Sequence, residues 1–290
     1  SIKGRVDENE VVISKSQYIL QDILKSELNY QKSIVLPDIT IEDNWINSFS
    51  LTKQKDAKSV INDLFNSSIY IPSYDSSGNF KFLEIKQEID YTNNYNIKTD
   101  DVINYSFDLT KLEDVKNYVS VKYKKNYSTD DYDQQTTFDW TTPNSTNEYE
   151  TIDYITQQLN PDQPYDINYY NLKDDDAKLL VENDYIRDEW TAARLKLKLL
   201  MWHCNQHLTC KIDLPPSYMN LESGDYIQFD QLIGNKLAFG YDYTQEFIKN
   251  GQLIYPVFFI TKVTKSLNKV SVEAIQMHQG NIGDNLITID

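Results

Sequence analysis

The chain has 290 residues, comfortable for two domains, and its 40% hydrophobic content is enough for real cores. Its formal net charge of −16 argues against a sequence-tolerant nucleic-acid binder, which needs a basic footprint to displace counterions, and against docking on anionic membranes. No apolar run is long enough to span a bilayer as a helix, and no secretory signal follows Ser1.

The first helix signal lies at residues 16–28, where Ile19, Leu20, Ile23, Leu24 and Leu28 recur at three- and four-residue spacing, with Ser14 or Ser16 as the cap. A second amphipathic helix is predicted over 55–65, with Ala57, Val60, Ile61, Leu64 and Phe65 as its buried stripe. Strands at 67–74 and 80–86 flank the turn Asp75-Ser76-Ser77-Gly78-Asn79 and predict a hairpin. A short strand follows at 103–109. The alternation over 117–127 then predicts a strong strand, with Val119, Val121 and Tyr123 on one face. Residues 128–178 are polar and acidic, and read as an excursion from the fold with a short helix near 153–159.

From 184 to about 202 a long helix is predicted, its inner stripe Ile186, Trp190, Ala193, Leu197 and Leu200. The strand at 207–214 places Leu208, Cys210, Ile212 and Leu214 inward. After Pro215-Pro216 the turn Gly224-Asp225 reverses the chain at low steric cost and opens a strand carrying Tyr226, Ile227 and Phe229. Residues 234–251 form a long loop holding Phe239, Tyr241, Tyr243 and Phe247. Strands are predicted at 257–263, which carries Phe259, and at 270–274. The fold class is α+β: mostly antiparallel sheet, a few helices and a small C-terminal β-barrel. Lobes are expected at 1–127 and 181–290, with the acidic insertion at 128–180 between them.

The residues that carry chemistry give no catalytic constellation. His203-Cys204-Asn205-Gln206-His207 with Cys210 has metal-ligand residue types, but a helix is expected to end inside it, and Cys210 falls on the inward face of a strand. Core and helix-end roles are the simpler reading, and no metal or cofactor is assigned. The acidic clusters at 130–133 and 173–176 lack the spacing of a helix–loop–helix calcium site and read as solvated faces. No nucleophile elbow and no phosphate-binding glycine loop is present in the sequence. Phe239, Tyr241, Tyr243 and Phe247 have the character of a partner interface or of internal packing, with sugar stacking as the alternative. Cys204 and Cys210 make no disulfide framework and fit a reducing compartment.

The order of these pieces resembles the central hub, or tail-tip, proteins of tailed bacteriophages. The likeness is carried by Tyr18-Ile19-Leu20-Gln21-Asp22-Ile23-Leu24, the helix at 57–65, the hairpin at Gly78, Ile103-Asn104-Tyr105-Ser106-Phe107, and Asn117-Tyr118-Val119-Ser120-Val121-Lys122-Tyr123. Thr191-Ala192-Ala193-Arg194 and Leu221-Glu222-Ser223-Gly224-Asp225 complete it. The resemblance implies a non-enzymatic structural protein of the virion, assembled in the host cytoplasm as a homo-oligomer, a trimer. It would join the tail tube to distal fibre or spike proteins around a channel that passes DNA without binding it, and it would have no membrane partner. Gly224, Asp225, Ile227, Phe229 and Phe259 would form the turn and core of the barrel. A carbohydrate- or receptor-binding module and a cell-wall or capsule hydrolase are the alternatives. The sequence departs from the pattern in two ways: the first barrel expected ahead of Ser16 is missing or lies in residues outside this sequence, and the acidic insertion is longer than expected.

Overall fold

The computed structural model describes residues 5–7, 10–36, 45–51, 53–68, 70–84, 94–139, 165–166, 168–173, 176–232 and 237–279. The fold is α+β, mostly sheet with few helices. The chain divides into two units. The first comprises Ser1–Ile85, Ser120–Thr137 and Leu180–Leu197; the second comprises Lys86–Val119, Phe138–Leu179 and Lys198–Asp290.

In the first unit, α1 (Ser16–Asp22) runs into a wider turn at Ile23–Glu27, where the Leu28 N–H reaches back to Ile23 O at 3.1 Å. The pair fills the helix predicted at 16–28, with Leu20 and Leu24 buried. Leu28 leaves the stripe and is exposed, because the wider turn changes the angular spacing of the last residues. Neither predicted serine caps this helix. The N-cap is Lys15, whose side chain makes no capping bond, and the Ser16 hydroxyl donates to the Asn47 side chain instead.

After β1 (Ile34–Val35) comes α2 (Ala57–Asn66), capped by the Asp56 carboxylate, which accepts the Ser59 N–H at 3.1 Å. Val60, Leu64 and Phe65 are its buried face. The next strand, β2 (Tyr70–Tyr74), starts later than predicted. Ser67 is spent on ending the helix, its N–H and its hydroxyl both donating to Asp63 O at 3.0 and 2.7 Å. β2 pairs antiparallel with β3 (Phe80–Glu84), and β1 joins β3 in parallel. The connecting turn is held by Asp75, whose carboxylate accepts the N–H groups of Ser77 and Asn79 at 2.9 and 2.8 Å.

Next come β4 (Tyr95–Ile97), β5 (Asn104–Leu109), β6 (Tyr118–Asn126) and β7 (Asp131–Asp139). β7 lies inside the stretch 128–178 that reads as an excursion from the fold. With β8 (Lys178–Glu182) it flanks β6 in a sheet of order β7-β6-β8. Val119, Val121 and Tyr123 of β6 are buried, as the alternation predicts. The helix expected near 153–159 lies outside the described residues.

The long helix, α3 (Glu189–His203), begins five residues after its predicted start, because Asp188 is its cap and accepts the Thr191 N–H at 2.9 Å. Leu197 and Leu200 are buried as expected. Trp190 and Ala193 are only half-buried, and Ala192 and Leu195 take the inner positions.

In the second unit, β9 (Leu208–Leu214), β10 (Tyr226–Phe229), β11 (Phe247–Lys249), β12 (Gln252–Lys265) and β13 (Val270–His278) join β4 and β5 in one sheet. Its strand order is β4-β10-β12-β13-β9-β5, with β11 beside β12. All pairs are antiparallel except β4 with β10. β9 buries Leu208, Cys210, Ile212 and Leu214, the alternation read from sequence. The register of β12 against β13 shifts between Ile254 and Phe258, around Pro256, which has no N–H to give to a ladder. Val257, Phe258, Phe259 and Ile260 are buried in succession, so β12 is covered on both faces.

Candidate interface around the aromatic loop

The turn at Gly224 adopts φ +97°, a left-handed conformation that glycine takes without strain. It is sewn to β12: the Gly224 N–H donates to Ile260 O and the Ile260 N–H donates to Asp225 O, both at 2.9 Å. The Asp225 carboxylate accepts the Glu222 N–H at 2.8 Å. This fixes the entry of β10, so that Ile227 and Phe229 turn into the core. Phe229 lies edge-to-face on Phe258 at 5.3 Å between ring centroids. Phe259 is also buried and packs against Tyr226, its register partner, at 5.4 Å.

The aromatic loop is more ordered than its sequence suggests. β11 lies inside the stretch read as loop and pairs with β12 through the two-residue turn Asn250-Gly251, whose φ values are +44° and +78°. A second tight turn runs from Ala238 to Tyr241, with the Tyr241 N–H donating to Ala238 O at 3.1 Å. Its central residues, Phe239 and Gly240, have φ of +49° and +88°. A phenylalanine in that conformation is uncommon, and here it leaves the ring 54% exposed. The other three aromatics point elsewhere. Tyr241 stacks on Phe247 at 4.7 Å, and Tyr243 is buried, edge-on to Phe247 at 5.0 Å. The four candidate residues therefore comprise one exposed tip, one core ring and a half-buried stack between them.

Residues 165–166 and 168–171 complete this cluster, and no local sequence signal points to this contact. The Tyr169 and Tyr241 hydroxyls are 3.0 Å apart. The Tyr170 hydroxyl donates to Asn205 Oδ1 and accepts the Gln206 N–H, both at 3.1 Å. The Asp166 N–H donates to Asn250 Oδ1 at 2.8 Å. A Cβ on Gly251 would fall 2.7 Å from the Tyr165 N, so this backbone passes only because residue 251 is glycine. The bond to Tyr241 and burial push the Tyr169 hydroxyl up to about 12, and burial pushes Tyr243 up to about 12. These phenols stay neutral at physiological pH and act as hydrogen-bonding groups, not bases. Burial brings Lys249 down to about 8; its Nζ donates to Gln206 O at 3.1 Å.

The His/Cys run is a packed core. Cys204 and Cys210 are free and buried, and burial raises both thiols to about 12. His203, the last residue of α3, has Nδ1 3.0 Å from Asp114 O. The His207 ring stacks on Trp202 at 4.3 Å, with Nε2 2.7 Å from Trp202 O, and lies 4.7 Å from the ring of His278. Gln252 sits at the centre. Its Nε2 donates to Met201 O at 3.0 Å and lies 2.6 Å from His278 Nδ1, while its Oε1 accepts from Asn205 at 3.0 Å. Burial lowers His207 to about 4 and His278 to about 3. Among the described residues, no three His, Cys, Asp or Glu side chains are grouped to hold a metal. Of the two acidic clusters, Asp130 pairs with Lys125 at 2.9 Å. Asp174 and Asp175 lie outside the described residues.

No protein-family model and no curated protein sequence matches the chain. Similarity appears among solved structures. Over 90% of its length the chain is similar to a chain in the virion of a native gene transfer agent particle, with a TM-score of 0.53 and 11% identity. The fold resembles that of a virion protein. The chain spans 47% of that virion chain's length. A tail protein from Neisseria meningitidis MC58 aligns over 91% of this chain and 66% of its own, with a TM-score of 0.49 and 9% identity. The 43 kDa tail protein of prophage MuSo2 from Shewanella oneidensis aligns over 94% and 70%, with a TM-score of 0.47 and 9% identity.

Proposed function

We propose that this chain is a structural component of a phage-type tail, placed at the tail tip or baseplate hub between the tail tube and distal fibre or spike proteins. The observation that carries the reading is the fold likeness to a virion chain across 90% of the sequence. It agrees with the order of motifs from Tyr18 to Asp225. The protein works by holding neighbours in place, as a trimer within the virion after assembly in the host cytoplasm, and needs no reaction of its own.

Two physical features support the reading. Phe107, on the terminal strand β5, touches Phe229, on the strand beside β4 at the sheet's other end, with ring centroids 6.1 Å apart. Such a sheet is curled round one core, and we take it to close into the small barrel of a hub domain. The charge of −16 suits a ring whose bore passes DNA, because an acidic wall repels phosphates. Phe239 and the neighbouring tyrosines are the surface we assign to tail partners. Mass measurement of the full-length protein in solution tests the reading: three copies support it, and a monomer at every accessible concentration removes it.

A further inference from the structure

One end of the second unit's sheet rests on a buried pair of histidines, His207 and His278. His278 is the last residue of β13, and the register of that strand against β12 slips between Ile254 and Phe258. Beyond the slip the end of β13 is held by the Ile254–His278 pair, by the Gln279 N–H donating to Leu253 O at 2.8 Å, and by Gln252 Nε2 donating to Gln279 O at 3.0 Å. A strand end set apart from its ladder in this way can open without the rest of the sheet. The Gln252 amide is central to holding it, and that amide is oversubscribed. Its Nε2 has two protons, and three acceptors surround it: Met201 O and Gln279 O at 3.0 Å, and His278 Nδ1 at 2.6 Å.

This network fits a neutral His278 and has no place for a charged one. The Nδ1 lone pair faces the Gln252 amide, so the ring proton sits on Nε2, which is buried and has no hydrogen-bond partner among the described residues. A second proton, on Nδ1, would reach Gln279 O at 2.9 Å but would face Gln252 Nε2 at 2.6 Å, donor against donor. His207 differs. Its Nε2 and Nδ1 lie 2.7 and 3.3 Å from the carbonyl oxygens of Trp202 and Gln276, so both nitrogens have an acceptor. The two rings are 4.7 Å apart, and charge on both would add repulsion. The ionisable neighbours do not offset this. His203 acts on both rings and Lys249 on His207, and both neighbours are bases. Asp114 and Lys116 bear on His203. Cys204 and Tyr170, which both touch Asn205, are kept neutral by burial.

We propose that His278 and Gln252 form an acid-sensitive catch: a proton taken up by His278 breaks its contact with Gln252 and frees the end of β13 from β12, while the remaining strands stay paired. Hydrogen exchange of the full-length protein at pH 7 and pH 5 tests it, read as protection factors so that the intrinsic pH dependence of exchange drops out. The Gln279 amide is expected to lose protection at least about tenfold between pH 7 and pH 5, because a histidine released from this site regains its ordinary affinity for protons. The Ile260 amide, bonded to Asp225 O in the same sheet, is expected to keep its protection. In His278→Gln, which keeps a neutral hydrogen-bonding side chain, little of the loss at Gln279 should remain. Equal losses at Gln279 and Ile260 overturn the catch, since the sheet would then be opening as a whole. No loss at Gln279, or a loss of wild-type size in a folded His278→Gln, overturns it as well. Should that variant not fold, the ring resonances of His278 in the wild type decide. Protonation of the ring together with loss of Gln279 protection supports the catch, and protonation with that amide still protected overturns it.

Discussion

Gly251 and Gly240 separate two costs that a left-handed glycine can hide. Both have positive φ, so alanine at either is strained by roughly 1 to 2 kcal/mol. At Gly240 nothing lies within 4 Å of the added Cβ, whereas at Gly251 it meets the Tyr165 backbone. Gly251→Ala is therefore expected to lower stability by at least about 1 kcal/mol more than Gly240→Ala, because displaced backbone adds to the strain. Denaturant midpoints of the two variants decide it, and equal losses would mean that residue 165 does not pack there. The buried histidines give a second residue-scale prediction. Both are held below their ordinary value of 6.5, to about 4 and about 3, so the unfolded chain binds more protons in that range. Stability is then complete above pH 6.5 and falls as pH drops, with a slope of roughly 1.4 kcal/mol per pH unit for each histidine. Melting temperature should be flat between pH 7 and 8 and drop between 6 and 5. His278→Gln should soften the drop, and an unchanged profile would show that burial does not control these rings.

At the scale of elements, the Tyr170 hydroxyl ties 168–171 to the turn after α3. Tyr170→Phe removes a bond to Asn205 and leaves the Gln206 N–H without its acceptor, a loss of roughly 1 to 3 kcal/mol. Hydrogen exchange at the Gln206 amide should accelerate in that variant. The sequence showed which elements have strong periodicity: the alternation of β9, the stripe of α2 and the buried face of β6 all follow from residue spacing. It did not show elements whose evidence lies elsewhere. β4 is three residues long and gains its place only by pairing with β10. β7, Asp131–Asp139, opens Asp131-Tyr132-Asp133-Gln134-Gln135-Thr136-Thr137, which alternates too little apolar surface to read as a strand. Its pairing with β6 makes it one. β11 was legible: Asn250-Gly251 is the dipeptide that two-residue hairpin turns favour, and it stood inside the stretch read as a loop. No local signal in Tyr165, Tyr169 or Tyr170 points to the loop they join, because that contact is made across 72 to 84 residues of chain.

For the whole molecule, the proposed barrel makes the two ends of one sheet share a core. A double-mutant cycle on Phe107 and Phe229 is expected to give a coupling of about 0.5 to 1.5 kcal/mol. Additive losses would mean that β5 and β10 fold without each other. The charge of −16, the curled sheet and the likeness to a virion chain all support the proposed role, a subunit that surrounds a DNA path and carries other proteins. Electron microscopy of the full-length protein tests that picture most directly. The account predicts a threefold ring with an acidic bore and the strands from Tyr95 to His278 closed into a cylinder at each subunit. Single separate subunits, or a ring whose bore is lined by lysine and arginine, would contradict it.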